Sequence, residues 1–351
     1  MTDVVSPVVH AETERVHPTA AEWVEWTEAD ARATWDATLT TLPDYNIYQS
    51  YCWGEFKRRQ GWVVRRGSVV LDGVMVAMGQ CLIREAPAIK VAVVWLPGGP
   101  VGTAAGWIRF GEALQRRYQG WRLYLRMHPL AEESSNDIGL LQAAKWHRPR
   151  VRLAPRDTFH VCLTSDEPSR YAALSSNWRH NLKRGMQRGH VIEPWGFAQP
   201  LEPIYDVVRE AARLQRIRRP LSLEDLKMMR EMLQEQLVLM VALGDDGKPC
   251  AIRAFARIGA RAQDVLAGVS AHGRKRYANY PLMWRILERA RRQGATWYDL
   301  NGADPDGATG VYNFKKGLGG RLVSRMGEWE WAGAKWLRMG MRVVITLRGA
   351  R

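Results

Sequence analysis

The chain has 351 residues, of which 46% are hydrophobic and 25% are charged, so it can form two packed domains and is not disordered throughout. Its 51 lysines and arginines exceed its 36 aspartates and glutamates and give a net charge of +15. That excess favours a polyanionic partner, such as nucleic acid, a diphosphate or an anionic membrane face. No apolar run approaches the roughly 18 residues that cross a bilayer, and no signal peptide is predicted.

The cysteines do not form a recognisable metal or disulfide pattern. All four lie singly among apolar neighbours, without a Cys-x-x-Cys pair: Cys52, Cys81, Cys162 and Cys250. We interpret them as reduced core residues of a cytoplasmic protein, and we expect no metal site.

The first half predicts a helix followed by a small α/β unit. Residues 1–20 predict a flexible N-terminus, and residues 21–42 predict an amphipathic helix. Asp72-Gly73 is a hairpin signal between two β-rich segments, and Gly120 ends a predicted helix. The remaining predicted elements are strands at 63–70, 74–83, 90–96 and 121–127 and a helix at 104–119.

The second half, from residue 151, predicts the same succession of elements. Its hairpin glycine, Gly247, and its helix-ending glycine, Gly294, each lie 174 residues after Gly73 and Gly120. Two equal offsets indicate a duplicated α/β domain. Its predicted elements are strands at 159–163, 237–243, 250–258, 264–270 and 297–300 and helices at 169–188, 201–215 and 223–236 and from Pro281.

The segment from Trp297 to Gly320 reads WYDLNGADPDGATGVYNFKKGLGG. It predicts a short strand that breaks at Asn301-Gly302 and enters a glycine-rich loop. Loops on a rigid scaffold carry functional residues, and glycine lets the backbone approach a ligand. Lys315 and Lys316 are therefore predicted to bring at least one ammonium close to a bound anion or a developing oxyanion. A solvated surface turn is the alternative.

Three motifs together resemble the Fem family, whose members are aminoacyl-tRNA-dependent transferases that add amino acids to peptidoglycan precursors. The C-terminal motif is Gly310-x-Tyr312-x-Phe314-Lys315-x-Gly317-x-Gly319-Gly320. The N-terminal motif comprises Gln49-Ser50, Trp53-Gly54, Phe56-Lys57 and Gly61-Trp62. Residues 97–101 resemble a third motif, with Gly98 at a position where arginine is usual.

The resemblance implies a mixed α/β fold with two acetyltransferase-like (GNAT) domains in tandem. Some family members also carry a long helical arm that grips tRNA. This sequence has no extended heptad stretch, so we expect no coiled-coil arm. The predicted domains span residues 21–150 and 151–330, and residues 331–351 form a basic C-terminal helix or tail.

The resemblance also assigns roles to individual residues. It implies that Lys315 stabilises negative charge on the ester carbonyl oxygen and the departing ribose oxygen, while Phe314 positions and dries the site. One such donor is typically worth about 3 kcal/mol. Lys57 and Arg216 are implied to contact the diphosphate of the acceptor, with Arg213 as an alternative to Arg216. Trp53 and Tyr312 are further predicted substrate-binding residues.

The donor implied by the resemblance is aminoacyl-tRNA, so no cofactor is expected. The basic helix residues Arg179, Lys183, Arg184 and Arg188 are predicted to contact tRNA phosphates, with a solvated helix face as the alternative. The expected acceptor is UDP-MurNAc-pentapeptide or lipid II, with a peptide natural product as an alternative. We expect a cytoplasmic monomer that makes peripheral contact with the inner face of the membrane.

Two other functions are open at this point. An acyl-coenzyme A transferase would share the fold, but its pyrophosphate loop needs glycines where residues 274–281 carry Tyr277 and Asn279. The tail at 335–351 mixes apolar and basic residues and predicts either a membrane-surface helix or a closing helix packed on its domain. A protein that only binds membrane or nucleic acid would not need Phe314 and Lys315.

Overall fold

The computed structural model describes residues 22–215, 217, 220–305 and 309–347. Within these residues the chain forms two seven-stranded sheets with helices packed against them. The predicted flexible N-terminus at 1–20 lies outside the described residues. The mixed α/β class predicted from the sequence is confirmed.

The first sheet has the strand order β1-β2-β3-β4-β6-β14, where β14 is Trp329–Ala332, with β5 beside β3. Its parallel pair is β4 and β6, and the other neighbours are antiparallel. The first-half elements are β1 (Glu22–Glu25), α1 (Glu28–Leu39), α2 (Tyr51–Arg59), β2 (Val63–Leu71), β3 (Val74–Ala86), β4 (Val91–Gly98), β5 (Val101–Gly102), α3 (Ala104–Arg117), β6 (Arg122–Pro129) and α4 (Ser135–Ala143).

The second sheet has the strand order β13-β7-β12-β11-β10-β9-β8. The first sheet takes its last strand, β14, from the end of the chain, where β14 pairs with β6. The second-half elements are β7 (Asp157–Cys162), α5 (Glu167–Ala173), α6 (Ser176–Gln187), β8 (Ile192–Pro194), α7 (Glu202–Leu214), α8 (Leu223–Leu233), β9 (Leu237–Leu243), β10 (Pro249–Ile258), β11 (Arg261–Val269), α9 (Ala271–Lys275), α10 (Asn279–Arg292), β12 (Trp297–Asp299), α11 (Thr309–Lys316), β13 (Arg321–Ser324), β14 (Trp329–Ala332) and α12 (Lys335–Leu347).

The two halves repeat one unit, a meander of three strands followed by a helix and a parallel strand. In the first half β4 crosses through α3 to β6, and in the second β11 crosses through α10 to β12. The paired glycines occupy the same conformation: φ is +76° at Gly73 and +72° at Gly247, and +81° at Gly120 and +88° at Gly294. Glycine adopts this left-handed conformation without strain. The equal spacing therefore reflects turns that require a positive φ at the same places in both halves.

Two predicted helices are wrong in detail. The predicted helix at 21–42 begins as strand β1, which pairs with β2, and becomes helical only after Thr27, whose hydroxyl caps α1 by accepting from the Asp30 N–H at 3.1 Å. The predicted helix at 169–188 is two helices. Leu174 is extended between them, and Ser175 caps α6. In both places a side-chain cap starts a new helix.

One hydrophobic cluster joins the two halves. Gln60 of the first half donates to the Asp225 carboxylate of the second at 2.5 Å, and the Arg59 guanidinium lies 3.0 Å from the Glu231 carboxylate. Side chains from both halves can therefore be held in one site. The shared cluster contains Trp35, Phe56 and Met78 from the first half and Ile204, Leu226 and Val241 from the second.

No long helix is present among the described residues. The longest, α3 and α10, have 14 residues each, which confirms the predicted lack of a coiled-coil arm. None of the described helices combines the length and the apolar composition that crossing a membrane requires.

Gly54 of α2 is predicted to be a packing requirement. A Cβ atom at this position would lie 2.1 Å from Gln80 Oε1 and 2.5 Å from Arg66 Nη2, two buried groups that fix α2 to the sheet. We expect Gly54→Ala to lower the free energy of unfolding by about 1–3 kcal/mol, the usual cost of overpacking. Urea denaturation measures the change.

The control is Gly139→Ala on α4, where a Cβ atom meets nothing within 4 Å. Alanine there should raise stability by about 0.5–1 kcal/mol, because glycine is the poorer helix former. Equal effects of the two substitutions would show that Gly54 has no packing role.

Candidate active site

Lys315 lies in the last turn of α11, at the end of the second sheet. The predicted glycine-rich loop is therefore wrong over residues 309–316, which are helical, and only residues 317–319 form a turn before β13. The Lys315 ammonium donates to the carbonyl oxygens of Asn301 and Gly302 at 2.7 and 2.6 Å. Both residues have positive φ, +50° and +78°, so an Asn-Gly turn after β12 directs its carbonyls at the ammonium.

The Lys315 ammonium is desolvated but is not neutralised. Burial lowers its pKa to about 8, while the Asp264 carboxylate acts in the opposite direction. Among the described residues no carboxylate lies within 4.0 Å of Lys315 Nζ. The ammonium is held by neutral carbonyl dipoles, so within the described residues its charge is not balanced by a carboxylate in contact with it.

A buried ion pair lies next to Lys315. The Arg253 guanidinium is 2.8 Å from the Asp264 carboxylate, which also accepts from the Tyr298 hydroxyl at 3.0 Å. Arg253 donates to Asn279 at the start of α10 at 3.1 Å. These bonds leave the carboxylate of Asp264 satisfied, as a buried charge requires, and fix β10, β11 and β12 around the site.

Asp299 holds the Asn-Gly turn in place. Its carboxylate accepts from the Asn301 N–H at 2.8 Å and from the Thr158 hydroxyl at 2.6 Å, and it forms a buried ion pair with Arg325. His160 Nε2 lies 3.6 Å away. Although burial opposes ionisation, the Arg325 guanidinium and hydrogen bonds hold the pKa of Asp299 far below its usual range.

Phe314 and Tyr312 anchor α11 to the core of the second half. The Phe314 ring lies 5.6 Å from the Trp178 ring and 5.2 Å from the Tyr280 ring, and its carbonyl accepts from the Trp178 indole at 3.0 Å. The Tyr312 ring lies 5.6 Å from that of Phe159. Tertiary contacts therefore hold the helix that carries Lys315.

Lys57 lies on α2, at the junction with the second half. Its ammonium donates to Gln60 at 2.9 Å and lies 4.5 and 5.2 Å from the ring centres of Phe56 and Trp53. Burial lowers the pKa of Lys57 to about 8, against the opposing influence of the Asp225 carboxylate. It resembles Lys315 in being a buried cation that forms no ion pair within the described residues.

Tyr48 connects the N-terminal and C-terminal motifs. Its ring meets that of Trp53 edge-on at 4.8 Å, and its hydroxyl accepts from the Asn301 amide at 2.6 Å. Burial raises the pKa of Tyr48 to about 12, so the hydroxyl stays protonated. The structure therefore brings Lys57, Trp53 and Lys315 into one connected region, although 258 positions separate the two lysines.

The four residues predicted to contact tRNA have different surroundings in the structure. Arg179 donates to the carbonyls of Ala172 and Leu174 at 2.9 and 2.6 Å and thereby ties α5 to α6. Lys183, Arg184 and Arg188 are exposed, and the Arg184 guanidinium lies 4.3 Å from the Tyr277 ring centre. Arg216 lies outside the described residues.

Gly98 cannot be replaced by the arginine that the third motif usually carries. It has a φ of +71°, and a Cβ atom there would lie 2.3 Å from Asn46 Oδ1 and 2.9 Å from Tyr48 Cβ. The Gly98 carbonyl accepts from the Asn46 amide at 2.7 Å. The departure from the motif is thus a requirement of the packing around Tyr48.

Sequence reasoning missed five residues that build the site. Their signal is weak, since buried polar residues are recognised only when their partners are known, and the partners lie far away in the chain. Asn301-Gly302 predicts a turn, but the sequence does not show that the carbonyls of this turn face Lys315. The missed residues are Tyr48, Arg253, Asp264, Asn301 and Arg325.

Comparisons with known proteins find similarity in sequence and in fold. Residues 244–338 match the model of the FemAB family. The fold is similar to that of FemX, with a TM-score of 0.79 and 14% sequence identity over 92% of this chain and 100% of that one. A tandem GNAT protein from the clavulanic acid biosynthesis pathway has a TM-score of 0.58 and 14% identity over 90% and 99% of the two chains.

A third similar structure is the C-terminal domain of a putative lysylphosphatidylglycerol synthetase from Agrobacterium fabrum. Its TM-score is 0.52 at 14% identity, over 77% of this chain and 85% of that one. A search of curated protein sequences found no match. These likenesses confirm the predicted pair of GNAT-like domains.

Proposed function

Because residues 244–338 match the model of the FemAB family, we propose that this chain is a transferase that moves an aminoacyl group from aminoacyl-tRNA to an amine of a peptidoglycan precursor. The acceptor is either the nucleotide-linked precursor or its lipid-linked form. The observation that carries the proposal is the buried Lys315 ammonium, held by two carbonyls and without a carboxylate partner among the described residues.

The reaction needs the acceptor amine to be placed against the ester carbonyl and one positive charge to stabilise the oxygen of that carbonyl. The acceptor amine attacks the ester carbonyl carbon, and the carbonyl electron pair moves onto oxygen, where the Lys315 ammonium stabilises it. When the intermediate collapses, the C–O bond to the ribose breaks and the amide remains. The proton that the amine loses balances the one that the ribose oxygen gains. A donor placed in this way is typically worth about 3 kcal/mol.

Lys57 and Trp53 form the proposed acceptor side of the site. The Lys57 ammonium provides a buried charge for a diphosphate, and the Trp53 indole N–H is buried without a partner among the described residues. A buried donor of this kind gains a hydrogen bond when an acceptor atom enters. Arg216 remains a candidate for a second diphosphate contact, and Phe314 and Tyr312 support the site by holding α11.

The exposed cations on α6 form the proposed donor side. Lys183, Arg184 and Arg188 can neutralise phosphates of tRNA, and binding should then weaken steeply as salt rises. Arg179 is already engaged by two carbonyls, so we assign it to positioning α6.

The start of α10 argues against coenzyme A as the donor. An acetyltransferase of this fold would hold the pyrophosphate on free backbone N–H groups at this point. Here α6 crosses the same place, with the ideal Cβ position of Gly185 2.7 Å from Pro281 Cδ and 2.8 Å from the Tyr277 carbonyl oxygen. The Arg184 guanidinium lies against the Tyr277 ring. Little space remains for a pyrophosphate.

The test is incubation with a charged tRNA pool and each candidate acceptor, followed by mass measurement of the products. We expect an acceptor mass increase of one aminoacyl residue, and none with a tRNA pool deacylated by mild base. Acyl-coenzyme A is supplied in parallel as the rival donor. A mass increase with acyl-coenzyme A and none with charged tRNA would overturn the proposal.

We expect kcat to fall as the pH rises above about 8. Burial lowers the pKa of Lys315 from 10.5 to about 8, so the charge is lost at a pH where a free lysine would keep it. On the acid side, protonation of the attacking amine lowers the rate and completes a bell-shaped profile. Initial rates, corrected for enzyme-free ester hydrolysis, measure the profile. A kcat that stays constant well above pH 8 would contradict this role for Lys315.

A further inference from the structure

The C-terminal helix α12 exposes a row of apolar side chains. Its opposite side buries Leu337 and Ile345, and the helix packs on β14 and β6. Four exposed apolar residues, at spacings of three and four, follow one side of the helix. We call this row the apolar ridge, and its side chains have the following exposed fractions: Trp336 57%, Met339 70%, Val343 56% and Leu347 78%.

A strongly basic pocket opens beside this ridge. It lies between α12 and the loop at residues 147–151 and has a volume of about 420 Å³. Glu330 is the one carboxylate among its described lining residues, and it already accepts from the Tyr124 hydroxyl at 2.8 Å. We call this site the basic pocket, and the arginines and lysine that line it are Arg126, Arg148, Arg150, Lys335, Arg338 and Arg342.

Several of these cations have no internal counter-charge. Arg126 is paired with Glu328, and Arg338 lies 4.0 Å from Glu330. Within the described part of the chain, the exposed side chains of Arg150, Lys335 and Arg342 form no ion pair. The basic pocket therefore has more positive charge than its own carboxylate balances, and it suits an anionic group from outside.

We propose that the apolar ridge and the basic pocket together bind the surface of an anionic lipid bilayer, with lipid headgroup phosphates in the pocket and the ridge among the acyl chains. An interfacial helix combines such an apolar side with basic residues beside it. With 13 residues, α12 is about 20 Å long at 1.5 Å per residue. A bilayer core is about 30 Å thick, so the helix is too short to span it. In the proposed complex the helix therefore lies along the membrane surface.

Charge and polarity together favour a bilayer over other partners. A second copy of this chain brings the same cations and the same net charge of +15, which opposes self-association through this surface. RNA would satisfy the basic pocket but not the apolar ridge, because exposed apolar side chains gain nothing from a phosphate backbone. An anionic bilayer satisfies both. This inference does not depend on the proposed function.

The test is co-sedimentation of the full chain with vesicles of phosphatidylcholine alone or mixed with phosphatidylglycerol. We expect binding to the anionic vesicles that weakens at high salt. Each basic residue near an anionic surface contributes about fivefold in partitioning, so the combined variant Lys335→Gln, Arg338→Gln and Arg342→Gln should lose on the order of a hundredfold. The ridge variant Trp336→Ser, Met339→Ser and Val343→Ser should also lose binding.

A matched variant controls for net charge. Arg32→Gln, Arg109→Gln and Arg116→Gln remove three exposed charges elsewhere on the first half and should leave vesicle binding nearly unchanged. Circular dichroism of each variant checks folding.

Four results would overturn the proposal. The first is equal binding to neutral vesicles, and the second is an equal loss in the control variant. The third is a charge variant that loses affinity for tRNA or inorganic phosphate but not for vesicles. The fourth is a concentration-dependent dimer that the ridge variant abolishes while vesicle binding is absent.

Discussion

Replacing Lys315 with methionine should lower kcat for aminoacyl transfer by about 10²–10³-fold, the usual loss when one oxyanion donor is removed. Methionine keeps the length of the aliphatic chain and removes the charge that the Asn301 and Gly302 carbonyls hold in place. The KM values should change little, because the charge acts on the transition state. Product mass with charged tRNA, measured under saturating conditions, gives the rate.

Lys316→Met is the matched control for this prediction. Lys316 is the next residue of α11 and is exposed, so its loss should leave kcat within about twofold, as for surface substitutions that leave the site unchanged. A similar loss in both variants would assign the effect to the overall charge of α11. An unchanged kcat in Lys315→Met would remove Lys315 from the mechanism.

Replacing Arg325 with methionine should lower the free energy of unfolding by about 3–5 kcal/mol, because it leaves the buried Asp299 carboxylate without its counter-ion. Arg325 is fully buried and pairs with Asp299, which in turn holds the Asn301 turn. Urea denaturation measures this loss. Activity should fall as well, since the carbonyls that hold Lys315 belong to that turn.

The control for this prediction is Arg321→Met, four residues before Arg325 in the chain. Arg321 of β13 pairs with Glu132 at 2.7 Å, but both side chains are more than half exposed, at 62% and 56%. An exposed pair is worth about 0–1 kcal/mol, so Arg321→Met should have a small effect. Equal losses in the two variants would mean that burial of the Asp299–Arg325 pair does not matter for stability.

The repeated fold could be predicted from the sequence because it depends on local backbone requirements. Gly73, Gly120, Gly247 and Gly294 all need a left-handed conformation, which the sequence shows as glycine at equal spacing. The C-terminal motif likewise predicts a role for Lys315 from a short stretch of sequence, and that role stays a prediction. Predictions of this kind depend on short stretches of sequence and do not require knowledge of tertiary contacts.

The details that failed depend on distant contacts. Residues 309–316 contain glycine and asparagine, which favour loops, yet Phe314 packs against Trp178 and Tyr280 and stabilises the helix. The bond between Tyr48 and Asn301 joins residues 253 positions apart, and no sequence pattern indicates such a pair. The helix predicted at 21–42 begins as a strand because β2 offers it an edge.

The most direct test of the central claim restores the Lys315 ammonium chemically. In a Cys162→Ser background, which removes the exposed thiol, Lys315→Cys is alkylated with 2-bromoethylamine, and mass measurement verifies modification at position 315. We predict that activity returns and that its alkaline limit moves to lower pH, since the new amine is more acidic than lysine. Alkylation with iodoacetamide gives a neutral side chain and should restore nothing. Equal recovery with both reagents, or none with the amine, would contradict the account.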